Sequence, residues 1–329
     1  FKKQDLNLTD NLGPTTLLYK PDFWDFFTES TKSSQKVVYA AAKAFTFRRE
    51  EFICFLSSAQ SQKAEIKWND VSEFQFKEQF DWSKRIFSEQ KLTKTVPIVK
   101  QDAQFVFKVE NLLWCIQNLI QKKTFGWSYG FFQNNVGMIG HTPEILTQWS
   151  STDQRLHTVA LAGTYPKYEG PNPSIKTELF KKILEDKKIQ NEHQIVIDDI
   201  INKINFKAEF TQGMTEVLEL KYLLHLMTQF QVKVPTLKQA FEVIDVLHPT
   251  AAMGIYPFDL LMMKKFSEFL IQKERASFAA PFAIIEQHSI FCVVAIRNIL
   301  FSDNRLQLFS GCGITSESDY ELELAELQS

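Results

Sequence analysis

Glutamate residues in the middle and at the end of the chain have the chemistry of metal ligands. Glu192 lies within a stretch of helical periodicity, and Glu323 and Glu326 are three residues apart, on one face of a C-terminal helix. Like charges on one face repel, so this arrangement costs stability unless a cation is nearby. Mg²⁺ prefers carboxylate oxygens, and glutamates from two helices could bind one ion beside a substrate carboxylate. A solvated acidic surface explains the same residues without any ligand.

Small residues and an arginine occur where they could bind an anion. Gly311 and Gly313 lie between a predicted strand and a predicted helix, where glycine lets the backbone approach a ligand and free N–H groups favour anions. Gly163 and Thr164 end a second predicted strand. Arg297 interrupts an apolar strand, and a buried arginine needs an anionic partner such as a carboxylate. Tight turns and an outward-facing arginine are the alternatives, and the local pattern leaves both open.

The elements that must position these residues alternate between strands and long helices. Turn residues between apolar runs indicate two hairpins, and periodicity indicates a long amphipathic helix between them. The sequence Ser-Asp-Tyr-Glu at 318–321 has the form of a capping box and predicts the start of the last helix. We therefore expect an α+β fold. The predicted segments are the hairpins 125–132 with 136–146 and 289–299 with 306–309, the strands 36–40 and 157–164, the helix 174–204, and two segments of either type at 218–228 and 237–247.

Composition indicates a globular protein with reduced cysteines. The 329 residues are 44% hydrophobic, enough for a large core, and the formal net charge of -2 argues against a basic surface for nucleic acid. The four cysteines show no C-x-x-C spacing, which argues against a disulfide framework or a zinc site. No apolar run reaches the roughly 18 residues of a membrane span, and no signal peptide opens the chain. We expect a cytoplasmic protein that binds neither nucleic acid nor a membrane.

A series of short motifs runs through the chain from about residue 34 to residue 329. The segment Leu247–Gly254 reads LHPTAAMG. The other motifs are Lys36-Val37-Val38, Gly140–Glu144, Leu161–Thr164, Glu192-His193, Leu224–Leu226, Phe278–Pro281, Ala295–Arg297, Gly311–Ile314 and Glu323–Glu326. Their order and spacing resemble the chorismate-utilising enzymes, which include isochorismate, salicylate, anthranilate and aminodeoxychorismate synthases. The LHPTAAMG segment is most similar to the corresponding segment of isochorismate synthases.

The resemblance implies chorismate as substrate, Mg²⁺ as cofactor and a role for each motif. In the family a lysine acts as general base, a glutamate acts as general acid, and two glutamates bind the metal. The implied catalytic residues are Lys36 as base, Glu144 as acid and the active-site histidine His225. The implied metal ligands are Glu192 and Glu326, with Glu323 beside them. The implied substrate-binding residues are Gly163, Thr164, Ala251, Phe278, Arg297, Gly311 and Gly313.

A few positions separate the members of the family. Anthranilate synthases carry glutamine where Lys36 stands and use ammonia from an amidotransferase partner, and aminodeoxychorismate synthases carry lysine where Ala162 stands. Salicylate synthases carry threonine where Ala251 stands, a residue linked to pyruvate loss. The resemblance therefore implies an isochorismate synthase, an isomerase without an amidotransferase partner, in menaquinone or siderophore biosynthesis. A salicylate synthase and a diverged, non-catalytic chorismate-binding domain are the alternatives.

The resemblance also implies a fold and one notable departure from the family pattern. The implied fold is α+β, with two large, mainly antiparallel sheets packed as a sandwich and helices outside. It forms a single chorismate-binding catalytic domain over residues 1–329, which we expect to be shortened at the N-terminus and to end just before the family's C-terminus. Ile189 stands where the family usually has an acidic residue, three positions before the metal glutamate, and this predicts reduced metal affinity.

Overall fold

The computed structural model describes residues 2–5, 16–26, 37–41, 43–121, 125–167, 173–205, 209–220 and 223–328. The strands are β1 (Lys2–Asp5), β2 (Leu17–Tyr19), β3 (Val37–Ala40), β4 (Ile98–Gln104), β5 (Trp127–Gln133), β6 (Val136–Thr142), β7 (Ile145–Ser150), β8 (Arg155–Pro166), β9 (Phe210–Gln212), β10 (Glu216–Glu219), β11 (Leu223–Lys233), β12 (Pro281–Glu286), β13 (Ser289–Val294), β14 (Asn298–Ser302) and β15 (Arg305–Gly311). The α-helices are α1 (Arg49–Ser57), α2 (Glu73–Ser88), α3 (Val109–Gln121), α4 (Pro173–Glu185), α5 (Lys187–Ile204), α6 (Leu237–Leu247), α7 (Leu260–Phe266), α8 (Leu270–Lys273) and α9 (Tyr320–Gln328), with a 3-10 helix at Phe23–Phe26.

The strands form two sheets. The large sheet has ten strands in the order β1-β3-β2-β12-β13-β7-β8-β11-β10, with β9 paired to β11, and the small sheet has five in the order β4-β15-β14-β6-β5. Neighbouring strands in both sheets run antiparallel. The expectation of an α+β fold with two antiparallel sheets and added helices is therefore confirmed.

Apolar side chains from the two sheets share a buried core. Met138 of the small sheet packs in one cluster with Leu18, Phe282 and Val293 of the large sheet. The ring of Trp127 lies 4.8 Å from that of Phe291, measured between centroids, and so also bridges the sheets. Burial of these faces against each other produces the sandwich. Among the described residues, no helix combines the length and the hydrophobicity that crossing a bilayer requires.

The first predicted hairpin is present as β5 and β6. Gln133 pairs with Val136, so the turn consists of Asn134 and Asn135 alone. Both asparagines have positive φ, 51° and 62°, as a two-residue turn of type I′ requires. Asparagine tolerates this left-handed conformation better than most residues, which explains why the turn could be read from the sequence.

The second predicted hairpin differs from the structure. The segment 289–299 was expected to be one strand, but β13 ends in the large sheet and β14 begins in the small one. Arg297 lies in the three-residue connection between them and has φ of +54°. A left-handed residue turns the chain sharply, so the strand cannot continue through it. Arg297 therefore lies at the crossing between the sheets and not inside a strand.

The expectation of one helix over 174–204 is also wrong, because α4 and α5 are separate helices. Asp186 lies between them with extended backbone, φ -73° and ψ 112°, and its side chain accepts a hydrogen bond of 3.0 Å from the amide of Ile189. This is an N-cap, which starts a new helix. Of the two segments that the sequence left ambiguous, 218–228 covers parts of β10 and β11, and 237–247 is α6.

We predict that Asp186→Ala destabilises the protein by about 1 kcal/mol, the usual cost of removing an N-cap. The reason is that the amide of Ile189 loses its hydrogen-bond acceptor at the start of α5. The free energy of unfolding, measured in urea, is the test, with the exposed neighbour Lys187→Ala as control. Equal stability of the two variants would contradict the assigned cap.

Candidate active site

The helices α5 and α9 bring three glutamates together. Lys188 of α5 donates a hydrogen bond of 2.7 Å to Oε1 of Glu323 on α9, which joins the helices directly. Burial and then the charges of Glu323 and Glu192 raise the pKa of Glu326 to about 7. Part of the Glu326 side chain remains accessible to solvent. The charge repulsion from Glu323 and Glu192 is therefore the cause of the raised pKa that is specific to this cluster. Residues predicted to bind one metal ion thus lie within electrostatic reach of each other.

The donor atoms of this cluster suit Mg²⁺. Like charges are concentrated here. When Glu326 is ionised, the two ammonium groups of Lys94 and Lys188 leave the three carboxylates one net negative charge. Mg²⁺ is usually bound by one or two carboxylates together with waters and substrate oxygens. Within the described parts of the chain, no group of three His, Cys, Asp or Glu side chains is arranged to hold an ion. Two carboxylates would leave the remaining coordination positions of such an ion to water and other oxygen ligands.

A buried lysine that the sequence interpretation missed lies in the same cluster. Lys94 is 1% exposed, and its Nζ lies 3.0 Å from Oε1 of Glu192. A Cβ atom at Gly313 would overlap the Glu192 carboxylate and lie 2.8 Å from Cε of Lys94, so glycine is needed there for close approach. In the sequence, Lys94 lies between Thr93 and Thr95, just before the apolar residues Val96–Val99, and this pattern does not by itself indicate a buried lysine. Lys36, the predicted base, lies outside the described residues.

Backbone hydrogen bonds fix Lys94 in place. On one side, Thr95 and Ile314 exchange hydrogen bonds of 3.0 and 2.8 Å, just beyond the ends of β4 and β15. On the other side, the amide of Tyr256 donates to the carbonyl of Lys94 at 2.9 Å. The main chain is therefore held on both sides of Lys94, which limits the directions its side chain can take.

Glu144 is a buried carboxyl group at the start of β7. Its side chain is 4% exposed, and its backbone carbonyl accepts a hydrogen bond of 3.1 Å from Val294. Burial raises the pKa of Glu144 to about 7, although the charges of Arg297 and Lys94 oppose the rise. A carboxyl group with this pKa can hold a proton at neutral pH and donate it, as a general acid must.

His225 connects Thr164 to Arg297. Its Nε2 accepts a hydrogen bond of 3.1 Å from Nη2 of Arg297, since a guanidinium can only donate. Burial and the Arg297 charge lower the pKa of His225 to about 4, so the ring is neutral and carries its proton on Nδ1. Nδ1 lies 3.2 Å from Oγ1 of Thr164, the acceptor in this arrangement. The three predicted residues thus form one chain of hydrogen bonds.

Gly163 lies where the end of β8 meets α5. Its φ is +77°, and a Cβ atom there would lie 2.7 Å from Cγ2 of Ile189. Ile189 is buried in an apolar cluster with Leu179, Leu224 and Leu226. Ile189, which stands where the resemblance implies an acidic residue, therefore packs against the strand end that carries Gly163 and Thr164.

The loop after α6 is held by a buried ion pair. The amide of Ala251 donates to Oδ2 of Asp199 at 2.7 Å, and Lys203 lies 2.8 Å from the same oxygen. Lys203 also donates to the carbonyl of Pro249 at 2.5 Å. Two charged residues of α5 thereby shape the segment that carries Ala251, and the sequence interpretation did not identify either of them.

Phe278 and Gly311 are placed by packing. Phe278 is buried and stacks on Phe309 with 5.4 Å between ring centroids, so its observed contacts are those of a core residue. Gly311 ends β15, where a Cβ atom would lie 3.2 Å from the carbonyl of Pro97. The contacts of these two predicted substrate-binding residues do not connect them to the polar cluster.

We predict that Glu144→Gln makes stability less dependent on pH. The pKa of Glu144 is about 7 in the folded protein and 4.5 without its surroundings, so its stabilising contribution is full below 4.5 and is lost as pH rises through 7. Relative to the wild type, Glu144→Gln should gain up to about 3 kcal/mol between pH 4.5 and pH 8. Urea unfolding across this range tests the prediction, with the surface variant Glu268→Gln as control. Parallel curves for Glu144→Gln and the wild type would show that Glu144 ionises normally.

Known proteins resemble this chain in sequence. Isochorismate synthase MenF of Escherichia coli is 29% identical over 204 residues, which cover 61% of this chain and 45% of that protein. The salicylate biosynthesis isochorismate synthase of Pseudomonas aeruginosa is 27% identical over 208 residues, covering 59% and 40%. The matched segment thus spans less than half the length of each curated relative.

Solved structures and a family model extend the comparison. The structure of Escherichia coli MenF superposes with a TM-score of 0.75 at 18% identity, covering 97% of this chain and 77% of that one. Anthranilate synthase component I of Streptococcus pneumoniae gives 0.71 at 15% identity, covering 92% and 69%. At these identities the likeness shows a shared fold. The model of the chorismate binding enzyme family matches residues 26–329, so this chain belongs to that family.

Proposed function

We propose that this protein is an isochorismate synthase, which isomerises chorismate to isochorismate with Mg²⁺ as cofactor. The observation that carries the proposal is a buried, protonatable carboxyl group, Glu144, whose pKa is influenced by the same lysine that contacts the glutamate cluster. Lys94 contacts Glu192, and its charge acts on the pKa of Glu144. The curated relatives in Escherichia coli and Pseudomonas aeruginosa are both named isochorismate synthases, which supports the same reaction.

The proposed reaction moves a hydroxyl group on the chorismate ring. Lys36, in its neutral form, takes a proton from a water molecule, which attacks C2 of the ring. Glu144, in its protonated form, gives its proton to the departing 4-hydroxyl group. Water therefore enters and leaves in equal amounts, and the reaction needs no redox cofactor and no ammonia-supplying partner. When bound by Glu192 and Glu326, Mg²⁺ would neutralise the ring carboxylate and draw electron density from the ring.

The role of base is assigned to Lys36, as the resemblance to the family implies. The ammonium group of Lys94 is already paired with Glu192, at 3.0 Å. Lys94 is also only 1% exposed, so water and substrate have little access to its amine.

Arg297 is proposed to bind a carboxylate of chorismate, with His225 as its positioning residue. Arg297 is accessible to solvent, so a ligand can reach its guanidinium group. The hydrogen bond from Nη2 to the neutral imidazole of His225 fixes the direction of that group. Both ring nitrogens of His225 are engaged by protein atoms, which favours an orienting role over proton transfer.

The test of the proposed function is incubation of the protein with chorismate and Mg²⁺, followed by chromatographic identification of the product. Isochorismate is the expected product, since the side chain of Ala251 has no hydroxyl that could assist pyruvate loss. Salicylate with pyruvate would identify a salicylate synthase instead. Unchanged chorismate, with protein whose fold is verified by circular dichroism, would indicate a binding domain without turnover.

Substitution tests the proposed base and acid. Lys36→Met should lower kcat by about 10³-fold, within the range usual for loss of a general base, while chorismate still binds. Glu144→Gln should have a similar effect through loss of the general acid. Turnover and calorimetric binding of chorismate are measured for both variants. If either variant keeps near-normal turnover, the role assigned to that residue is wrong.

A further inference from the structure

Lys188 occupies an unfavourable position in its helix. It is the second residue of α5, and a positive charge in the first turn is disfavoured by the helix dipole. Its compensation is the contact with Glu323 of α9, at 2.7 Å between Nζ and Oε1. Residues in locally unfavourable positions are often found at functional sites. Here the positive charge of Lys188 compensates the negative charge of the glutamate cluster.

The carboxylate of Glu323 is buried and needs a compensating positive charge. Its side chain is 2% exposed, and a buried carboxylate without a compensating charge is strongly destabilising. The second lysine of the cluster, Lys94, is in contact with Glu192. Lys188 is therefore the lysine whose observed contact compensates Glu323.

The Lys188 side chain also has room to leave this position. It is 42% exposed, whereas that of Lys94 is 1% exposed. A lysine is a flexible chain with a strongly hydrated end, so moving into water costs it little. A divalent ion at the cluster would repel the ammonium group and would take over its role toward the carboxylates.

We propose that Lys188 is an internal counter-cation, which neutralises Glu323 when no metal is bound and competes with Mg²⁺ for the cluster. This inference rests on the metal site of the proposed function. Lys188 holds α9 against α5 without the ion, and the ion replaces that link when it binds. Lys188 thereby weakens Mg²⁺ binding while protecting the empty site from its own repulsion.

The test compares Lys188→Met with Lys187→Met, an exposed neighbour that removes the same charge from the same helix turn. Without metal, the melting temperature of Lys188→Met should be lower than that of Lys187→Met. Saturating Mg²⁺ should raise the melting temperature of Lys188→Met more than that of Lys187→Met, so that the two melting temperatures become equal. In calorimetry with Mg²⁺ alone, Lys188→Met should bind about tenfold more tightly than Lys187→Met. Lys188→Arg keeps the charge and should bind Mg²⁺ as the wild type does.

The possible results separate this inference from the proposed function. A loss of stability in Lys188→Met that Mg²⁺ leaves unchanged, or equal Mg²⁺ affinity in the two methionine variants, would show a purely structural salt bridge. Failure of every variant to bind Mg²⁺, both alone and with chorismate present, would overturn the inference and the metal site together. Tighter Mg²⁺ binding by Lys188→Met, in a protein that leaves chorismate unchanged, would support the counter-cation and refute the proposed reaction alone.

Discussion

The repulsion among three carboxylates at the contact of α5 and α9 is the constraint on which the site depends. Glu192, Glu323 and Glu326 can lie together only with positive charge beside them, and Lys94 and Lys188 supply it. The lysines reach them from different places, one from the chain just before β4 and one from the first turn of α5. The metal, in the proposed enzyme, enters a cluster that the protein has already brought close to neutrality.

In a second region of the site, burial and nearby positive charges shift the pKa of Glu144 in opposite directions. Burial raises the pKa of Glu144 although two positive side chains act on it, so desolvation outweighs their attraction there. Arg297, one of the two, adopts a left-handed backbone at the crossing between the sheets. Such a conformation costs roughly 1 kcal/mol or more for a residue other than glycine, and the hydrogen bond to His225 is one contact that helps to hold it. Strain and desolvation thus coincide where we propose that substrate binds.

Local chemistry explains which parts of the fold could be predicted. Asn134 and Asn135 specify their turn by themselves, so the first hairpin was predicted correctly. The break between β13 and β14 and the cap at Asp186 were missed because apolar periodicity continues through both. Lys94 was missed for another reason: a lone lysine between two threonines gives no sign of the residue that will pair with it. Its partner Glu192 is 98 residues away, and only the folded chain joins them.

Ile189 shows how one substitution can be tolerated in such a site. An acidic side chain at this position would place a further carboxylate in the first turn of α5, close to Lys188, beside the three of the cluster. The isoleucine packs instead against Gly163, and its apolar partners include Ile183 of α4. Lys188 can then pair with Glu323, because its neighbour at position 189 is not an acidic residue that would compete for its ammonium group. The loss of an outer carboxylate and the presence of an internal counter-cation therefore act in the same direction, since each lowers the negative potential that Mg²⁺ meets.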